Sequence, residues 1–163
     1  MDRELLVHLA NTIPAKVIVE VGCYVGMTTV SLMKGTEADV HCVDHFAGNP
    51  SDRLKDIHPR ITFETFCRNL RPWLFQRVQL HVGKSSAYAA AWPRDLEIDM
   101  VFIDANHDYL PVMEDILSWR SLLMPGKILA GHDFECTSGV PRAVRELFKD
   151  DFEHKGEVWW VKT

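Results

Sequence analysis

The stretch that decides the fold is "IDMVFIDANHDYLPVMEDI", residues 98–116, because its hydrophobic pattern changes partway along. Through Asp104 it is a near-continuous apolar run, which is typical of a strand buried on both faces. The remainder predicts a helix, with Asp108 placed to cap it and Pro111 in its first turn. The apolar face predicted for this helix comprises Leu110, Met113, Ile116 and Leu117. A buried strand leading directly into a helix is the repeating unit of an α/β fold.

The same alternation continues on both sides of this segment. A helix is predicted at 28–34, ended by Gly35, and a helical stripe near the carboxyl end comprises Val140, Val144, Leu147 and Phe148. Further strands are predicted at 16–21, 39–44, 77–82, 126–131 and 157–163. Strands alternating with helices predict an α/β fold with a mostly parallel sheet of six to seven strands, covered by helices on both faces. We expect a single domain spanning residues 1–163.

One segment interrupts the alternation. Residues 45–61 are polar and broken by two prolines, so we interpret them as a flap near the ligand site, from which Arg53 or His58 could touch substrate. An ordinary exposed loop is the alternative.

Composition excludes several classes of function. The 163 residues are 47% hydrophobic and 25% charged, with a net charge of -5, which gives no general attraction for nucleic acid. No stretch approaches the roughly 18 to 20 apolar residues of a membrane span, and the start of the chain lacks a signal-peptide pattern. The four cysteines form no Cys-x-x-Cys pair, so we expect reduced core residues of a cytoplasmic protein.

The loop after the first strand, "VEVGCYVGMTT", carries the first candidate ligand site. Gly22 and Gly26 would let the backbone approach a ligand closely. A dinucleotide fingerprint fails because Tyr24 and Met27 stand where glycines are needed, and a phosphate-binding P-loop fails because Met27 follows the last glycine. Asp44 ends the second strand, where a carboxylate can accept both hydroxyls of a ribose. The alternative is that the glycines only form a turn and Asp44 is a solvated strand end.

Four motifs together resemble the class I S-adenosylmethionine (SAM) methyltransferases. They are "VEVGCYVGMTTVSL" (19–32), "VGKSSAYAAAW" (82–92), "FIDANHDY" (102–109) and "LLMPGKILAGHDF" (122–134). The chain is most similar to small-molecule O-methyltransferases of the macrocin type (methyltransferase type 24), and more distantly to catechol O-methyltransferase. The resemblance implies a Rossmann-like three-layer sandwich that binds SAM. The cofactor-binding residues it implies are Glu20, Gly22, Tyr24, Gly26, Thr28, Asp44, His45, Ser85, Ser86 and Asp104.

The resemblance also implies a metal site. Asp104 ends the fourth strand and the pair His132–Asp133 ends the fifth, so the three side chains converge if those strands are neighbours. The metal-dependent relatives place two carboxylates and a carboxamide at these positions, whereas here a histidine takes the second place. Oxygen-rich sites suit Mg²⁺, and a histidine also admits Mn²⁺ or another divalent ion.

His107 lies where the catechol-type enzymes place a lysine base. An imidazole has an ordinary pKa of about 6.5 and can accept a proton from a hydroxyl whose pKa a metal has lowered. The alternative is a surface loop histidine. We therefore regard His107 and Asp104 as the candidate catalytic residues.

The sequence thus predicts SAM-dependent methyl transfer to a hydroxyl of a small molecule, assisted by a divalent metal. No nucleic-acid or membrane partner is expected, and a homodimer is left open. Two alternatives remain: a methyltransferase-fold protein that carries out other chemistry, and a SAM-binding protein without catalysis.

Overall fold

A computed structural model of the chain describes residues 2–48 and 58–163. Within those residues it has seven strands: β1 (Val17–Val21), β2 (Asp39–Asp44), β3 (Val78–Val82), β4 (Ile98–Ile103), β5 (Leu123–Gly131), β6 (Glu153–Lys155) and β7 (Val158–Lys162). The helices in the same ranges are α1 (Asp2–Thr12), α2 (Met27–Gly35), α3 (Pro59–Leu70), α4 (Ser85–Ala90), α5 (Tyr109–Arg120) and α6 (Gly139–Phe148).

The strands form one sheet in the order β3-β2-β1-β4-β5-β7-β6. The first five strands in this order run parallel to one another, and β7 and β6 pair antiparallel. This confirms the mostly parallel α/β sheet. The strand order reverses between β1 and β4, and in such sheets the crevice beyond the carboxyl ends at that switch point is where ligands bind.

Two apolar cores lie on opposite faces of the sheet. One contains Leu6 of α1, Leu32 of α2 and Phe66 of α3, and the other contains Trp119 of α5 and Val144 of α6. The parallel strands contribute to both cores because alternate side chains point to opposite faces. The near-continuous apolar character that identified these strands in the sequence follows from that two-sided burial.

The face predicted for α5 is partly wrong: Ile116 is buried and Met113 packs against the core as predicted, but the other two residues are exposed. Leu110 is 72% exposed and Leu117 is 50% exposed. The buried side chains of this helix are Val112, Asp115, Ile116 and Trp119. The indole N–H of Trp119 donates to Ser85 Oγ at 2.8 Å, and its ring packs edge-on against Trp92. These contacts with α4 and its flanking residues turn the Trp119 side of the helix inward.

The four cysteines are free thiols, but they do not all belong to the core as predicted. Cys23 and Cys42 are buried, Cys67 is half-buried and Cys136 is exposed. Cys136 lies in the loop after β5, at the carboxyl edge of the parallel strands.

The predicted flap at 45–61 is described only in part. Residues 49–57, and with them Arg53, lie outside the described residues. At the far end, α3 begins at Pro59, and His58 caps it by accepting the backbone N–H of Arg60 at Nδ1, 3.2 Å away. The last three residues of the predicted flap are therefore the first turn of a helix.

None of the helices in the described part of the chain has the length and apolar character that a membrane crossing requires.

Asp99 ties three strands together at the amino-terminal edge of the sheet. Its Oδ2 accepts the backbone N–H groups of Lys16 and Val17 at 2.8 and 3.0 Å, and its Oδ1 pairs with Lys127 of β5. We predict that Asp99→Ala lowers the free energy of unfolding by about 2 kcal/mol, because hydrogen bonds to a charged group are lost. Denaturant unfolding measures this, with the exposed Asp95→Ala as control. Equal stabilities of the two variants would contradict the assignment.

Candidate active site at the carboxyl edge of the sheet

The segment from Asp104 to Asp108 passes between two glycine backbones. A Cβ on Gly22, which has a φ of +84°, would lie 2.2 Å from the carbonyl oxygen of Asp104. A Cβ on Gly139, the first residue of α6, would lie 2.1 Å from the carbonyl oxygen of His107. Both distances are far below contact distance, so neither position admits a side chain unless the segment moves. The loop after β1 and the start of α6 thus fix this segment from two sides.

Three of the predicted catalytic and metal-binding side chains meet at this segment. One ligand atom each from Asp104, His107 and Asp133 lies within 4.8 Å of the other two. His107 Nε2 is 2.9 Å from Asp133 Oδ2. The grouping arises because β4 and β5 are neighbours and Ile103 pairs with Gly131, so the residues after each strand end at the same height. The sequence prediction that Asp104 and Asp133 lie together is confirmed.

His132, predicted as a ligand with the two aspartates, lies at the side of this group. Its Nδ1 is 3.5 Å from Asp133 Oδ2 and 4.0 Å from Asp104 Oδ1. Its Nε2 is 3.6 Å from the carboxylate of Asp2 in α1. The imidazole therefore bridges the aspartate pair and the amino-terminal helix, and the contribution of Asp2 could not be foreseen because nothing in the sequence brings that helix to this edge.

Burial and opposing charges perturb the titration of these groups. Burial raises the pKa of Asp104 to about 6. The hydrogen bond to Asp133, with the charge of Asp104, raises the pKa of His132 to about 9. Burial alone would raise the pKa of Asp133, but its hydrogen bonds with His107 and His132 outweigh burial and hold that pKa well below its usual range. Asp133 is thus the more acidic of the two carboxylates.

A small cavity of about 10 Å³ opens among these side chains, and Trp159 of β7 lies in its wall. That volume admits about one water-sized species. Trp159 is 1% exposed, and its indole N–H has no acceptor among the described residues. An oxygen atom held in the cavity is the kind of partner that a buried indole N–H requires.

Cys136 and Glu157 shape the loop that carries Asp133. The Cys136 thiol donates to Asp133 Oδ1 at 3.0 Å. Glu157, in the turn between β6 and β7, accepts the backbone N–H groups of Glu135 and Cys136 at 3.0 and 3.1 Å. Sequence reasoning missed both residues, because contacts between a loop and a distant turn leave no local pattern.

Asp44 holds the loop between β1 and α2. Its Oδ2 accepts the backbone N–H groups of Cys23 and Tyr24, each at 2.8 Å, and its Oδ1 accepts that of Phe46 at 2.7 Å. These bonds connect the end of β2 to the loop that carries Gly22. Asp44 is therefore not merely a solvated strand end.

The other predicted cofactor-binding residues divide into exposed and buried groups. Tyr24 and His45 are exposed, and Thr28 in the first turn of α2 is half-buried. Glu20 is only 1% exposed and accepts the Thr29 hydroxyl at 2.6 Å. The structure therefore places Glu20 beneath the loop and not on its ligand-facing surface.

Ser85 and Ser86 begin α4, and both contact α5. The Ser85 hydroxyl accepts the indole N–H of Trp119 at 2.8 Å and also bonds to Asp115. Ser86 bonds to Glu114, which pairs with Lys84 at 2.7 Å. Burial raises the pKa of Asp115 to about 6, and this residue was missed because it stands in a helix pattern that looked amphipathic.

A family model described as a methyltransferase domain matches residues 19–134. No curated protein matches the sequence significantly.

Solved structures share the fold. The O-methyltransferase TomG from Streptomyces achromogenes, involved in tomaymycin synthesis and solved with SAM, has a TM-score of 0.73 at 19% identity, covering 99% of this chain and 79% of that chain. An O-methyltransferase from Bacillus cereus, solved with SAH, has a TM-score of 0.72 at 17% identity, and the match covers 99% of this chain and 80% of that chain. CalS11, a TDP-rhamnose 3'-O-methyltransferase of calicheamicin biosynthesis, has a TM-score of 0.69 at 19% identity, and the match covers 99% of this chain and 78% of that chain.

Because Gly139 packs against the backbone of His107, adding a side chain at this position should destabilise the protein. Gly139→Ala should lower the free energy of unfolding by about 1–3 kcal/mol, the usual cost of overpacking, and should shift the amide resonance of His107. Ser138→Ala is the matched control, since the Ser138 side chain makes no capping hydrogen bond. If the two variants behave alike in denaturant unfolding and in NMR spectra, α6 does not fix the His107 segment.

The buried Glu20 predicts a pH-dependent stability. Burial raises the pKa of Glu20 to about 8, against about 4.3 in an unfolded chain. The folded state therefore holds this proton more tightly, and its stabilising contribution, complete below the unfolded pKa, is lost as the pH rises to about 8.

Glu20→Gln removes this titration. We therefore compare the free energy of unfolding of this variant with that of the natural protein at each pH. Between the unfolded and the folded pKa of Glu20, this difference should increase in favour of the variant by more than about 1.4 kcal/mol, the equivalent of one pKa unit. Urea unfolding at several pH values measures the difference, with the exposed Glu37→Gln as control. A difference that does not change with pH would refute the prediction.

Proposed function

The chain belongs to the methyltransferase domain family, and we propose that it transfers a methyl group from SAM to a hydroxyl of a small molecule with the help of a divalent metal ion. The observation that carries the proposal is the meeting of Asp104, His107 and Asp133 beside the glycine loop. Carboxylates and an imidazole at this place can hold a cation and receive a proton. The loop after β1 can hold the methyl donor.

The donor site is the loop from Gly22 to Gly26 together with Asp44. Gly22 brings the loop against Asp104, so a cofactor bound on the loop would be close to the proposed catalytic carboxylates. Asp44 Oδ1 accepts one backbone N–H, and a carboxylate oxygen has room for a second donor, such as a ribose hydroxyl. Glu20 contributes from below, through Thr29, by supporting the first turn of α2.

The residues present fit a divalent cation. Asp104 and Asp133 would hold it, with His132 as the third ligand, and Mg²⁺ or Mn²⁺ suits a set dominated by oxygen. Asp2 lies beside His132 Nε2, so it can keep the proton on that nitrogen and leave Nδ1 for the aspartate side. A carboxylate behind a ligand histidine commonly has this role. When bound, the ion supplies charge that lowers the pKa of the acceptor hydroxyl.

His107 accepts the proton of the acceptor hydroxyl. Asp133 Oδ2 lies 2.9 Å from its Nε2, so the carboxylate can orient the imidazole and stabilise the imidazolium that forms. The backbone of the Asp104–Asp108 segment, which carries His107, packs directly against Gly22 and Gly139, so it has little room to move. Methyl transfer needs an in-line arrangement of acceptor oxygen and methyl carbon, for which fixed positions matter most. A cytoplasmic location and the absence of a nucleic-acid partner belong to the same proposal.

Isothermal titration with SAM tests the donor site. We expect a dissociation constant within about 1 µM to 1 mM, the range common for enzyme substrates, and a loss of at least tenfold in Asp44→Ala. Asp150→Ala, an exposed change after α6, should bind SAM like the natural protein. No binding of SAM by the natural protein would contradict the proposal.

Substitutions of His132 and His107 test which histidine binds the metal and which accepts the proton. His132→Gln should weaken Mn²⁺ binding, measured by titration, by more than about tenfold. His107→Gln should keep SAM and Mn²⁺ binding but lower the rate of methyl transfer by about 10²- to 10⁴-fold. The reverse pattern, with Mn²⁺ binding lost in His107→Gln and kept in His132→Gln, would exchange the two assigned roles and contradict the mechanism.

A further inference from the structure

Trp159 carries a buried hydrogen-bond donor beside the proposed metal-binding carboxylates. Its side chain is 1% exposed, and within residues 2–48 and 58–163 its indole N–H has no acceptor. The ring lines the cavity of about 10 Å³ whose wall also includes Asp104 and Asp133. We propose that this cavity binds one water molecule, which accepts the N–H of Trp159, donates to the two carboxylates and so holds them in position. The inference rests on the proposed function, because it adds a positioning residue to the proposed metal site.

The pairing of β5 with β7 places the nitrogen-bearing edge of this ring at the end of β5. Gly131, the last residue of β5, pairs with Trp159. A Cβ on Gly131 would lie 2.6 Å from Nε1 and from two carbons of the indole, so a side chain at this position would collide with the ring. His132 and Asp133 follow directly along the chain, and both line the cavity. The N–H group therefore lies at the same edge of the sheet as the metal-binding side chains.

The lining of the cavity disfavours an ion of either sign. An indole nitrogen can donate a hydrogen bond but cannot accept one, so its hydrogen presents partial positive charge and disfavours a cation. Asp104 and Asp133, in the same lining, disfavour an anion. A neutral molecule that both accepts and donates hydrogen bonds suits both kinds of group. The volume limits that molecule to about one water.

The two carboxylates have the bonding capacity that such a water requires. Asp104 Oδ1 is 4.0 Å from His132 Nδ1, which is longer than a hydrogen bond, so this carboxylate has room for a donor. Asp133 Oδ2 lies 2.9 Å from His107 Nε2, and a carboxylate oxygen can accept two hydrogen bonds. A buried water typically makes about three hydrogen bonds. One bond from the indole and one to each carboxylate give that number.

The consequence is a link between β7 and the metal-binding residues that follow β4 and β5. Groups that hydrogen-bond to metal ligands fix the orientation of those ligands, and their loss typically weakens metal binding about 10- to 100-fold. A phenylalanine in place of Trp159 keeps a buried aromatic ring but has no N–H to hold the water. Trp159 is thus a positioning residue that acts through the water on Asp104 and Asp133.

High-resolution crystal structures of the natural full chain, grown with a chelator, test the water site. We expect a peak of electron density within about 3.2 Å of Trp159 Nε1 and of carboxylate oxygens of Asp104 and Asp133, which is hydrogen-bond distance. Crystals soaked with Mn²⁺ should show no anomalous signal at this peak, because the occupant is water and not the ion. The absence of the peak, or a manganese signal at its position, would overturn the inference.

Titrations with Mn²⁺ and with SAM test the positioning role. Trp159→Phe should bind Mn²⁺ about tenfold more weakly and SAM as well as the natural protein does. Trp160→Phe is the matched control and should bind both normally, since Trp160 packs against the core on the opposite face of the sheet. Unchanged Mn²⁺ affinity in Trp159→Phe would refute the positioning role. An equal loss of SAM affinity would refute it too, because that loss indicates general damage to the fold.

These measurements distinguish a failure of the inference from a failure of the proposed function. If Mn²⁺ binds the natural protein but no water bridges Trp159 to the carboxylates, the inference fails and the proposed metal site stands. If SAM binds and Mn²⁺ does not, the metal part of the proposed function fails and the positioning role fails with it. The chelator-grown crystals still decide whether Trp159 holds a water.

Discussion

The geometry of the site depends on the close packing of three backbone segments. The Asp104–Asp108 segment fits between the loop of Gly22 and the start of α6 at Gly139 only because both positions lack a Cβ. This contact joins the loop after β1, the Asp104–Asp108 segment after β4 and the helix after β5. A rigid scaffold that positions polar side chains on loops is the usual arrangement of an active site, and here two glycines let the neighbouring loop and helix pack directly against the Asp104–Asp108 backbone.

The charges in the site balance one another. Two carboxylates and two imidazoles meet at the edge of β4 and β5, where burial raises the pKa of Asp104, hydrogen bonding to Asp133 raises the pKa of His132, and hydrogen bonds hold the pKa of Asp133 below its usual range. Without an ion, the proton on His132 offsets part of the buried negative charge, which is costly when unpaired. A divalent ion can replace that proton, since ligand groups must be deprotonated to bind it. The same side chains are therefore suited to a protonated state and to an ion-bound state.

Much of this arrangement was predictable from the sequence, because periodicity and strand ends are local signals. The apolar runs identified β1, β2, β3, β4, β5 and β7 to within a few residues, and a carboxylate after each of β4 and β5 predicted their meeting. Local sequence patterns could not predict features that depend on contacts between residues far apart in the chain. The inward face of α5 depends on a bond from Trp119 to Ser85, and the approach of Asp2 to His132 depends on how α1 packs on the sheet. Gly139 resembles any glycine at a helix start until its distance to His107 is measured.

Anomalous diffraction from crystals soaked with Mn²⁺ and SAM locates the ion without reference to activity. We expect one strong manganese peak within bonding distance of Asp104 and Asp133, with His132 Nδ1 as a further ligand and electron density for SAM against the Gly22–Gly26 loop. Asp133→Asn crystals treated in the same way should lose most of the peak. A manganese peak elsewhere, or none while SAM is bound, would show that these side chains do not form a metal site.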